Sequence, residues 1–265
     1  MNNILEFNNV DKYFNSLKVL EDTTFHIGKD ELVCLLGPSG SGKTTIFNIA
    51  AGLINPDRGE KYVSHEMRTG YVFQEARLLP WKTVAENLDF IQQNYLKTKK
   101  AEEIKKTLLE LTGLKGFENS YPSQLSGGMK QRLEIIKALA IKPDLLLMDE
   151  PFKSVDAQTR VNLQNMILRF QEKRKLSIFL ITHNPEEAVL MADRIYVLSR
   201  KPGTIVKEIT LDIPQSERTL KDEKIYKSMQ EIIELFMDLV GEFRWKPGSE
   251  TEAIFEKIYN SKRKE

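Results

Sequence analysis

The sequence contains little cysteine and no long apolar run. Cys34 is the single cysteine among 265 residues, which excludes a disulfide framework and fits a cytoplasmic protein. It lies within the apolar run LVCLL, where we expect a buried structural thiol. Runs such as LVCLL and LLLM have five and four residues. A membrane-spanning helix needs roughly 20. We therefore expect no spanning helix, and we expect no secretory signal at the start of the chain.

An excess of either charge is also missing. The 39 basic and 38 acidic residues give a net charge of +1. This balance predicts no general attraction to nucleic acid or to an anionic membrane, so any membrane association would require a partner protein. With 41% hydrophobic and 29% charged residues, the chain is typical of a soluble globular protein with one sizeable core.

A glycine-rich loop follows the first strongly apolar run. Residues 31–45 read ELVCLLGPSGSGKTT, which is the pattern G-x-x-x-x-G-K-[ST] between a predicted strand and a predicted helix. The glycines let consecutive backbone N–H groups point at phosphate oxygens, and the helix adds its positive end. Lys43 would contact the β- and γ-phosphates, and Thr44 would offer its hydroxyl to Mg²⁺. The predicted phosphate site comprises Gly37, Pro38, Ser39, Gly40, Ser41, Gly42, Lys43, Thr44 and Thr45.

Two carboxylates end a later apolar run. Residues 145–150 read LLLMDE, so a buried strand is predicted to end at Asp149. Asp149 is placed to reach a nucleotide-bound Mg²⁺. Glu150 is placed to polarise the attacking water, which a nucleotide hydrolase needs and a simple nucleotide binder does not. The pattern favours a hydrolase.

GPSGSGKTT, LSGGMKQR and LLLMDEP occur in one order and spacing, and together they resemble the ATP-binding subunit of ABC transporters over about residues 3–213. The resemblance implies an α/β fold: a P-loop NTPase with a RecA-like core, a small antiparallel β part and an inserted α-helical subdomain. The predicted domains are an ATP-binding domain at 1–213, with the helical subdomain at about 80–144, and a helical C-terminal extension at 214–265. ATP and Mg²⁺ are the implied cofactors.

The resemblance also implies roles for residues outside the two motifs. Gln74, in YVFQEARLLPW, is similar to the glutamine that reaches the metal and the attacking water, so the implied metal ligands are Thr44, Gln74 and Asp149. His183, in ITHNPEEA, resembles the histidine that contacts the γ-phosphate, and it completes the catalytic set with Gln74 and Glu150. The spacing near the start of the chain favours Phe14 over Tyr13 as the residue that stacks on adenine.

LSGGMKQR would begin a helix with a serine and two glycines. A helix start of this kind exposes backbone N–H groups to an anion. In the family that the chain resembles, two copies pair head to tail, so Ser126, Gly127 and Gly128 of one copy would cap the γ-phosphate bound by the other. The resemblance also assigns Gln131 to the nucleotide site. The SVDA loop, residues 154–157, would cross the same dimer interface.

One segment and three single positions depart from the family pattern. Residues 59–70 form a shorter segment than usual, which predicts a trimmed antiparallel β-hairpin. Lys153 and Val155 stand where a small residue and leucine are expected. Asn184 follows His183 where aspartate is commoner, which removes a charge but keeps the imidazole.

The stretch QEARLLPWKTVAENL, residues 74–88, resembles importers of the nitrate, sulfonate and taurine branch. Leu78, Leu79, Pro80 and Trp81 predict an exposed apolar patch for docking membrane (permease) subunits, although core packing of these residues is the alternative. We call residues 74–81 the glutamine segment.

The resemblance implies an ATPase subunit on the cytoplasmic face of the cell membrane, with an extracytoplasmic substrate-binding protein as an indirect partner. An exporter ATPase subunit is one alternative. A soluble ABC ATPase of DNA repair or translation is another, but the long coiled-coil or zinc insertions usual in such proteins are missing. No residue identifies the transported substrate.

The pattern changes after Pro214. The stretch DEKIYKSMQEIIELFMDLVGEF predicts a helix that has Ile225, Met229, Ile232, Phe236 and Val240 on one face. A second short helix, AIFEKIYN, is predicted beyond it. We expect the first helix to pack on the core, and a regulatory or dimer-stabilising role remains open.

Overall fold

A computed structural model describes residues 3–64 and 67–240, and it confirms the predicted α/β fold. The strands are Asn3–Phe14 (β1), Leu17–Gly28 (β2), Leu32–Leu36 (β3), Arg58–Val63 (β4), Thr69–Val72 (β5), Leu145–Asp149 (β6), Ser177–Thr182 (β7), Arg194–Leu198 (β8) and Ile205–Thr210 (β9). The α-helices are Lys43–Ala50 (α1), Val84–Gln92 (α2), Thr98–Leu111 (α3), Gly127–Ala140 (α4), Ala157–Arg174 (α5), Pro185–Met191 (α6) and Glu223–Val240 (α7). Of these helices, none combines the length and apolar composition that a bilayer span requires.

A six-stranded sheet forms the centre of the fold, in the order β5-β6-β7-β3-β8-β9. The strands from β5 to β8 are parallel, and β9 pairs antiparallel with β8. Every residue of β3, β6 and β7 is buried, as expected for parallel strands that are covered on both faces. Asp149 lies opposite Ile181, and Leu36 lies opposite Thr182. The loops that follow these three strands therefore begin at one edge of the sheet.

A separate antiparallel sheet has the order β2-β1-β4. The predicted β-hairpin over residues 59–70 is wrong for the described part of that segment, because β4 pairs with β1 while β5 joins the six-stranded sheet. Gly59 explains the close pairing of β4 with β1. Its φ is +77°, and a Cβ at this position would lie 2.2 Å from the carbonyl oxygen of Asn9.

The helices α2, α3 and α4 lie in the region predicted to be helical. Thr83 begins α2 with a capping box, in which its N–H donates to Glu86 Oε2 over 2.7 Å and its hydroxyl accepts from the Glu86 N–H. Apolar side chains of these helices share one cluster with one face of the six-stranded sheet; among its members are Cys34, Val72, Leu88, Leu108 and Leu133. Cys34 is thus the buried thiol that was expected.

The C-terminal part of the described chain forms α7, which packs against α6. Ile225 and Ile232 are buried, and Met229 is partly buried against the same apolar cluster, in agreement with the predicted face. The side chains of Phe236 and Val240 lie outside the described residues, as does the second predicted helix.

Arg218, just before α7, fixes this part of the chain to the end of α6. Its guanidinium donates to the carbonyl oxygens of Ile213, Leu211, Val189 and Ala192. Burial lowers the pKa of Arg218, although the charge of Asp193 acts in the opposite direction. Because the last carbonyl groups of a helix lack partners within the helix, this contact stabilises the end of α6.

We predict that Ile232→Ala destabilises the protein, since Ile232 is fully buried beneath α7. Removing such a side chain costs about 2 to 5 kcal/mol. The matched control is Met237→Ala on the same helix, where the side chain is 55% exposed. Denaturant titration followed by circular dichroism checks the difference. Equal midpoints for the two variants would show that α7 is not docked through Ile232.

Candidate active site

The loop between β3 and α1 has a backbone that requires glycine at two positions. Gly40 has a φ of +78° and Gly42 a φ of +106°. A Cβ at Gly42 would also lie 2.8 Å from Leu20 Cδ2. The loop leads directly into α1, so the first N–H groups of that helix are available to an anion.

Lys43 is buried at the start of α1 and holds the loop closed. Its Nζ donates to the carbonyl oxygens of Gly37 and Pro38 over 2.8 and 2.9 Å. Burial lowers the pKa of Lys43, although the carboxylates of Glu150 and Asp149 act in the opposite direction. Within the described residues, the buried hydroxyl oxygen of Ser41 has no hydrogen-bond partner. A buried cation beside an unsatisfied hydroxyl is suited to an anionic ligand such as a phosphate.

Asp149 ends β6 at the same edge of the sheet and is buried. Burial raises its pKa, while a hydrogen bond with Thr44 and the charges of Lys43 and Lys153 act to lower it. Its Oδ1 accepts no hydrogen bond from any part of the chain that the structure describes. A carboxylate with a free oxygen beside a threonine hydroxyl provides the hard oxygen ligands that Mg²⁺ prefers.

Glu150 contacts His183 across the ends of β6 and β7. The Glu150 backbone has a φ of +46°, and its N–H donates to the Ile181 carbonyl over 2.9 Å. Its Oε1 lies 3.1 Å from His183 Nδ1, and its Oε2 lies 3.4 Å from Lys153 Nζ. Burial acts to raise the pKa of Glu150, but His183, Lys153 and Lys43 together hold it below its ordinary value. Glu150 is therefore a carboxylate at neutral pH.

A cleft of about 560 Å³ brings together predicted residues from separate parts of the chain. Its lining comprises Phe14, Leu17, Val19, Ser39, Gly40, Gly42, Lys43, Thr44, Thr45, Gln74, Glu150, Lys153 and Lys201. Phe14 is 47% exposed there. An adjoining cleft contains His183 together with Pro38 and Ser41. Of the residues described, Tyr13 lines neither cleft, and its ring lies under Lys18.

Lys153 and Lys201 line the cleft, although the sequence motifs predicted neither of them as a site residue. Lys201 follows β8, which is the parallel neighbour of β3, so it emerges at the same edge as the glycine loop. Gly203 allows the turn after β8 to contact the glycine loop closely, since a Cβ at this position would lie 2.4 Å from the Ser41 carbonyl oxygen. The only local indication of Lys201 in the sequence is the turn KPG, residues 201–203, after an apolar run. This turn can be placed at the cleft only when the order of the strands is known.

The serine-glycine stretch begins α4. Ser126 is the N-cap, and its hydroxyl oxygen accepts from the Met129 N–H over 3.2 Å. A Cβ on Gly127 would meet no atom of the described chain within 4 Å, so this helix start is open. Among the described residues that line the two clefts, Ser126, Gly127 and Gly128 do not appear.

Gln131, one turn further along α4, is buried, unlike the serine-glycine stretch. Its Nε2 donates to the carbonyl oxygen of Phe73 over 3.4 Å. The structure thus places Gln131 inside the fold, where it joins α4 to the residue before Gln74. The assignment of Gln131 to the nucleotide site stays a prediction.

The glutamine segment is only partly exposed. Leu78 packs against the apolar cluster, so the expectation that it lies in an exposed patch is wrong. The Leu79 N–H donates to Asn87 Oδ1 over 2.9 Å, which fixes the backbone at this position. Pro80 is exposed and Trp81 is 70% exposed. The apolar surface of the segment therefore consists mainly of Pro80 and Trp81.

The fold and the site define a P-loop nucleotide hydrolase: the glycine loop follows β3, two carboxylates end β6, and a histidine follows β7. A sequence model of the family described as ABC transporter matches residues 20–153. The chain is 37% identical over 263 residues to the nitrate import ATP-binding protein NrtD of Synechocystis sp., across 94% of this chain and 98% of that protein. It is 40% identical over 237 residues to the aliphatic sulfonates import ATP-binding protein SsuB of Bacillus cereus, across 85% of this chain and 94% of that protein.

Solved structures agree with the sequence comparisons. A dimeric structure of the ATP-binding cassette MJ0796, in a post-hydrolysis state bound to ADP and Pi, matches with a TM-score of 0.71 and 27% identity, across 79% of this chain and 100% of that chain. The chain belongs to the ABC transporter family as an ATP-binding protein, and it is an ATPase.

We predict that Lys43→Ala abolishes ATP turnover and weakens nucleotide binding, because it removes the buried charge at the glycine loop. A hydrogen bond to a charged group contributes about 1.5 to 3 kcal/mol, which corresponds to about 10- to 150-fold in affinity. Fluorescent nucleotide titration and phosphate release measure the two effects. Lys115→Ala is the control, since Lys115 is 63% exposed. Normal hydrolysis by the folded Lys43→Ala protein would exclude this loop as the phosphate site.

Proposed function

We propose that this ATPase energises the import of small anions of the nitrate, sulfonate and taurine type. The import names of the relatives, one of which matches over 98% of its length, support an importer rather than an exporter or a soluble ATPase. The observation that carries the hydrolytic part of the proposal is the 3.1 Å contact between Glu150 Oε1 and His183 Nδ1, which line two adjoining clefts beside the glycine loop.

The cleft fits ATP together with Mg²⁺. The glycine loop and Lys43 would hold the phosphates, and Phe14 would stack on adenine. Thr44, Gln74 and Asp149 would hold Mg²⁺, a role that the free Oδ1 of Asp149 supports. When bound, Mg²⁺ neutralises charge that develops on the phosphate oxygens.

The residues of the chain supply the proton transfer and the orientation of the water. The Glu150 carboxylate accepts a proton from the attacking water, because its lowered pKa keeps it ionised. His183 holds this carboxylate through Nδ1 and is placed to contact the γ-phosphate. Gln74, which also lines the cleft, orients the water.

A second copy of the chain completes the site. The open helix start at Ser126, Gly127 and Gly128 provides N–H groups that would cap the γ-phosphate bound by a partner in a head-to-tail dimer. The structural relatives described as dimeric support this arrangement. ATP then stabilises the dimer, and hydrolysis loosens it.

The exposed part of the glutamine segment, Pro80 and Trp81, would bind membrane (permease) subunits at the cytoplasmic face of the cell membrane. An extracytoplasmic substrate-binding protein would act with those subunits and not directly with this chain. The balanced charge supports no nucleic-acid partner. In this proposal residues 1–213 form the ATP-binding domain, with the helical subdomain at about 80–144, and residues 214–265 form an extension of it.

We predict that Glu150→Gln separates nucleotide binding from hydrolysis, because the amide keeps the shape of the side chain but cannot accept a proton. General-base catalysis contributes typically 10² to 10⁴-fold, so turnover should fall by at least about 100-fold. The variant should retain ATP and accumulate as a dimer, which light scattering with ATP and Mg²⁺ measures. Glu110→Gln is an exposed control. A monomer, or hydrolysis at the normal rate, would assign the base to another residue.

We also predict that Trp81→Ala weakens assembly with the permease subunits. An aromatic anchor of an interface contributes about 2 kcal/mol or more, so affinity should fall by about 30-fold. Co-purification measures assembly, and phosphate release should show little change in the ATPase of the isolated chain. The control is Tyr95→Ala, which removes an aromatic side chain outside the segment that is 48% exposed. Equal assembly by both variants would rule out Trp81 as an anchor.

A further inference from the structure

Helix α4 contains an ion pair between a buried glutamate and a partly buried lysine, which the proposed chemistry does not use. Glu134 is 0% exposed, and its Oε2 lies 2.6 Å from Nζ of Lys137, three residues later on the same helix. Burial raises the pKa of Glu134, although Lys137 acts to lower it. Neither side chain lines the cleft formed by the described residues. Any effect of the pair on bound nucleotide must therefore pass through another part of the chain.

Lys137 makes a second contact, and it is to the glutamine segment. Its Nζ donates to the carbonyl oxygen of Arg77 over 2.5 Å. Gln131, on the same helix, donates to the carbonyl oxygen of Phe73. The helix thus holds the backbone of the chain on both sides of Gln74. The two ends of this stretch also contact each other, since the Arg77 guanidinium lies 3.7 Å from the centre of the Phe73 ring.

Stability alone gives a weak reason for such a pair. Removing the Glu134 carboxylate from water costs on the order of several kcal/mol, and apolar residues of similar volume often give equal or greater stability. An apolar pair could not, however, donate a hydrogen bond to the Arg77 carbonyl. The distinct effect of Glu134 and Lys137 is therefore to fix the position of one backbone carbonyl, three residues after Gln74.

We propose that Glu134 and Lys137 are positioning residues for ATP hydrolysis, which hold the Arg77 carbonyl and thereby keep Gln74 in the cleft. This inference rests on the proposed role of Gln74. Because the glycine loop is not touched, the pair affects kcat and leaves KM for ATP nearly unchanged.

Lys137→Met tests the inference, since it keeps most of the side-chain length and removes the donor. We expect kcat to fall about tenfold or more, because a displacement of about 1 Å in a catalytic group can cost up to about 100-fold. KM for ATP should stay within about twofold. Lys137→Arg, which keeps the charge and the donor, should retain most of the activity.

Lys105→Met is the matched control. Lys105 is also paired with a glutamate three residues away, Glu102, over 2.7 Å, and its side chain is 12% exposed against 15% for Lys137. It also contacts Asp89 on α2. Wild-type kcat in folded Lys137→Met, or an equal loss in Lys105→Met, overturns the inference.

A double-mutant cycle shows whether Lys137 acts through Gln74. In a chain that already contains Gln74→Ala, Lys137→Met should cause no further loss of kcat. If the fold-losses of the two single variants instead multiply in the double variant, the two residues act independently and the inference is overturned. If Gln74→Ala alone keeps full kcat, the proposed role of Gln74 fails and the inference fails with it. If Gln74→Ala lowers kcat and Lys137→Met does not, the inference alone fails.

A folding defect in Lys137→Met would come from the unpaired buried carboxylate of Glu134. Glu134→Gln/Lys137→Met removes both charges, so it should fold with a thermal midpoint close to that of the wild type and still show the loss of kcat. Normal kcat in this double variant would show that the pair contributes only to stability, which overturns the inference.

Discussion

The shared register of three adjacent parallel strands is the constraint on which the site depends. Asp149 at the end of β6 lies opposite Ile181 in β7, and Thr182 at the end of β7 lies opposite Leu36 in β3. These strands are buried on both faces, so a shift of one residue would turn their side chains to the wrong sides of the sheet. The fixed register therefore brings the glycine loop, the two carboxylates and His183 to one edge of the sheet.

At this edge of the sheet, the pKa values of two neighbouring carboxylates, Asp149 and Glu150, are shifted in opposite directions. Burial dominates at Asp149 and raises its pKa, while His183, Lys153 and Lys43 hold the pKa of Glu150 low. A cation bound at the free oxygen of Asp149 would stabilise its ionised form. Glu150 is already ionised and needs no such help. Two adjacent acidic residues can thus serve as a metal ligand and as a base because their surroundings differ.

The sequence predicted the features that a contiguous stretch determines. The glycine loop, the buried strand ending at Asp149 and the helix start at Ser126 each depend on neighbouring residues, so their local patterns were sufficient. The cleft positions of Lys153 and Lys201 depend on which strands are neighbours, and no local pattern contains that information. The partial burial of Leu78 was missed for a related reason, because its packing against the apolar cluster depends on parts of the chain that are distant in sequence.

We propose that each chain supplies one half of a composite site. Mixing a Ser126→Arg chain with a Lys43→Ala chain tests it most directly, because each variant should be inactive alone. In mixed dimers, Ser126 from the Lys43→Ala chain would face the intact glycine loop of the other chain and restore one site, so phosphate release should recover to as much as about a quarter of the wild-type rate if the two sites act independently. Mixed dimers that form and show no recovered hydrolysis would contradict the head-to-tail arrangement.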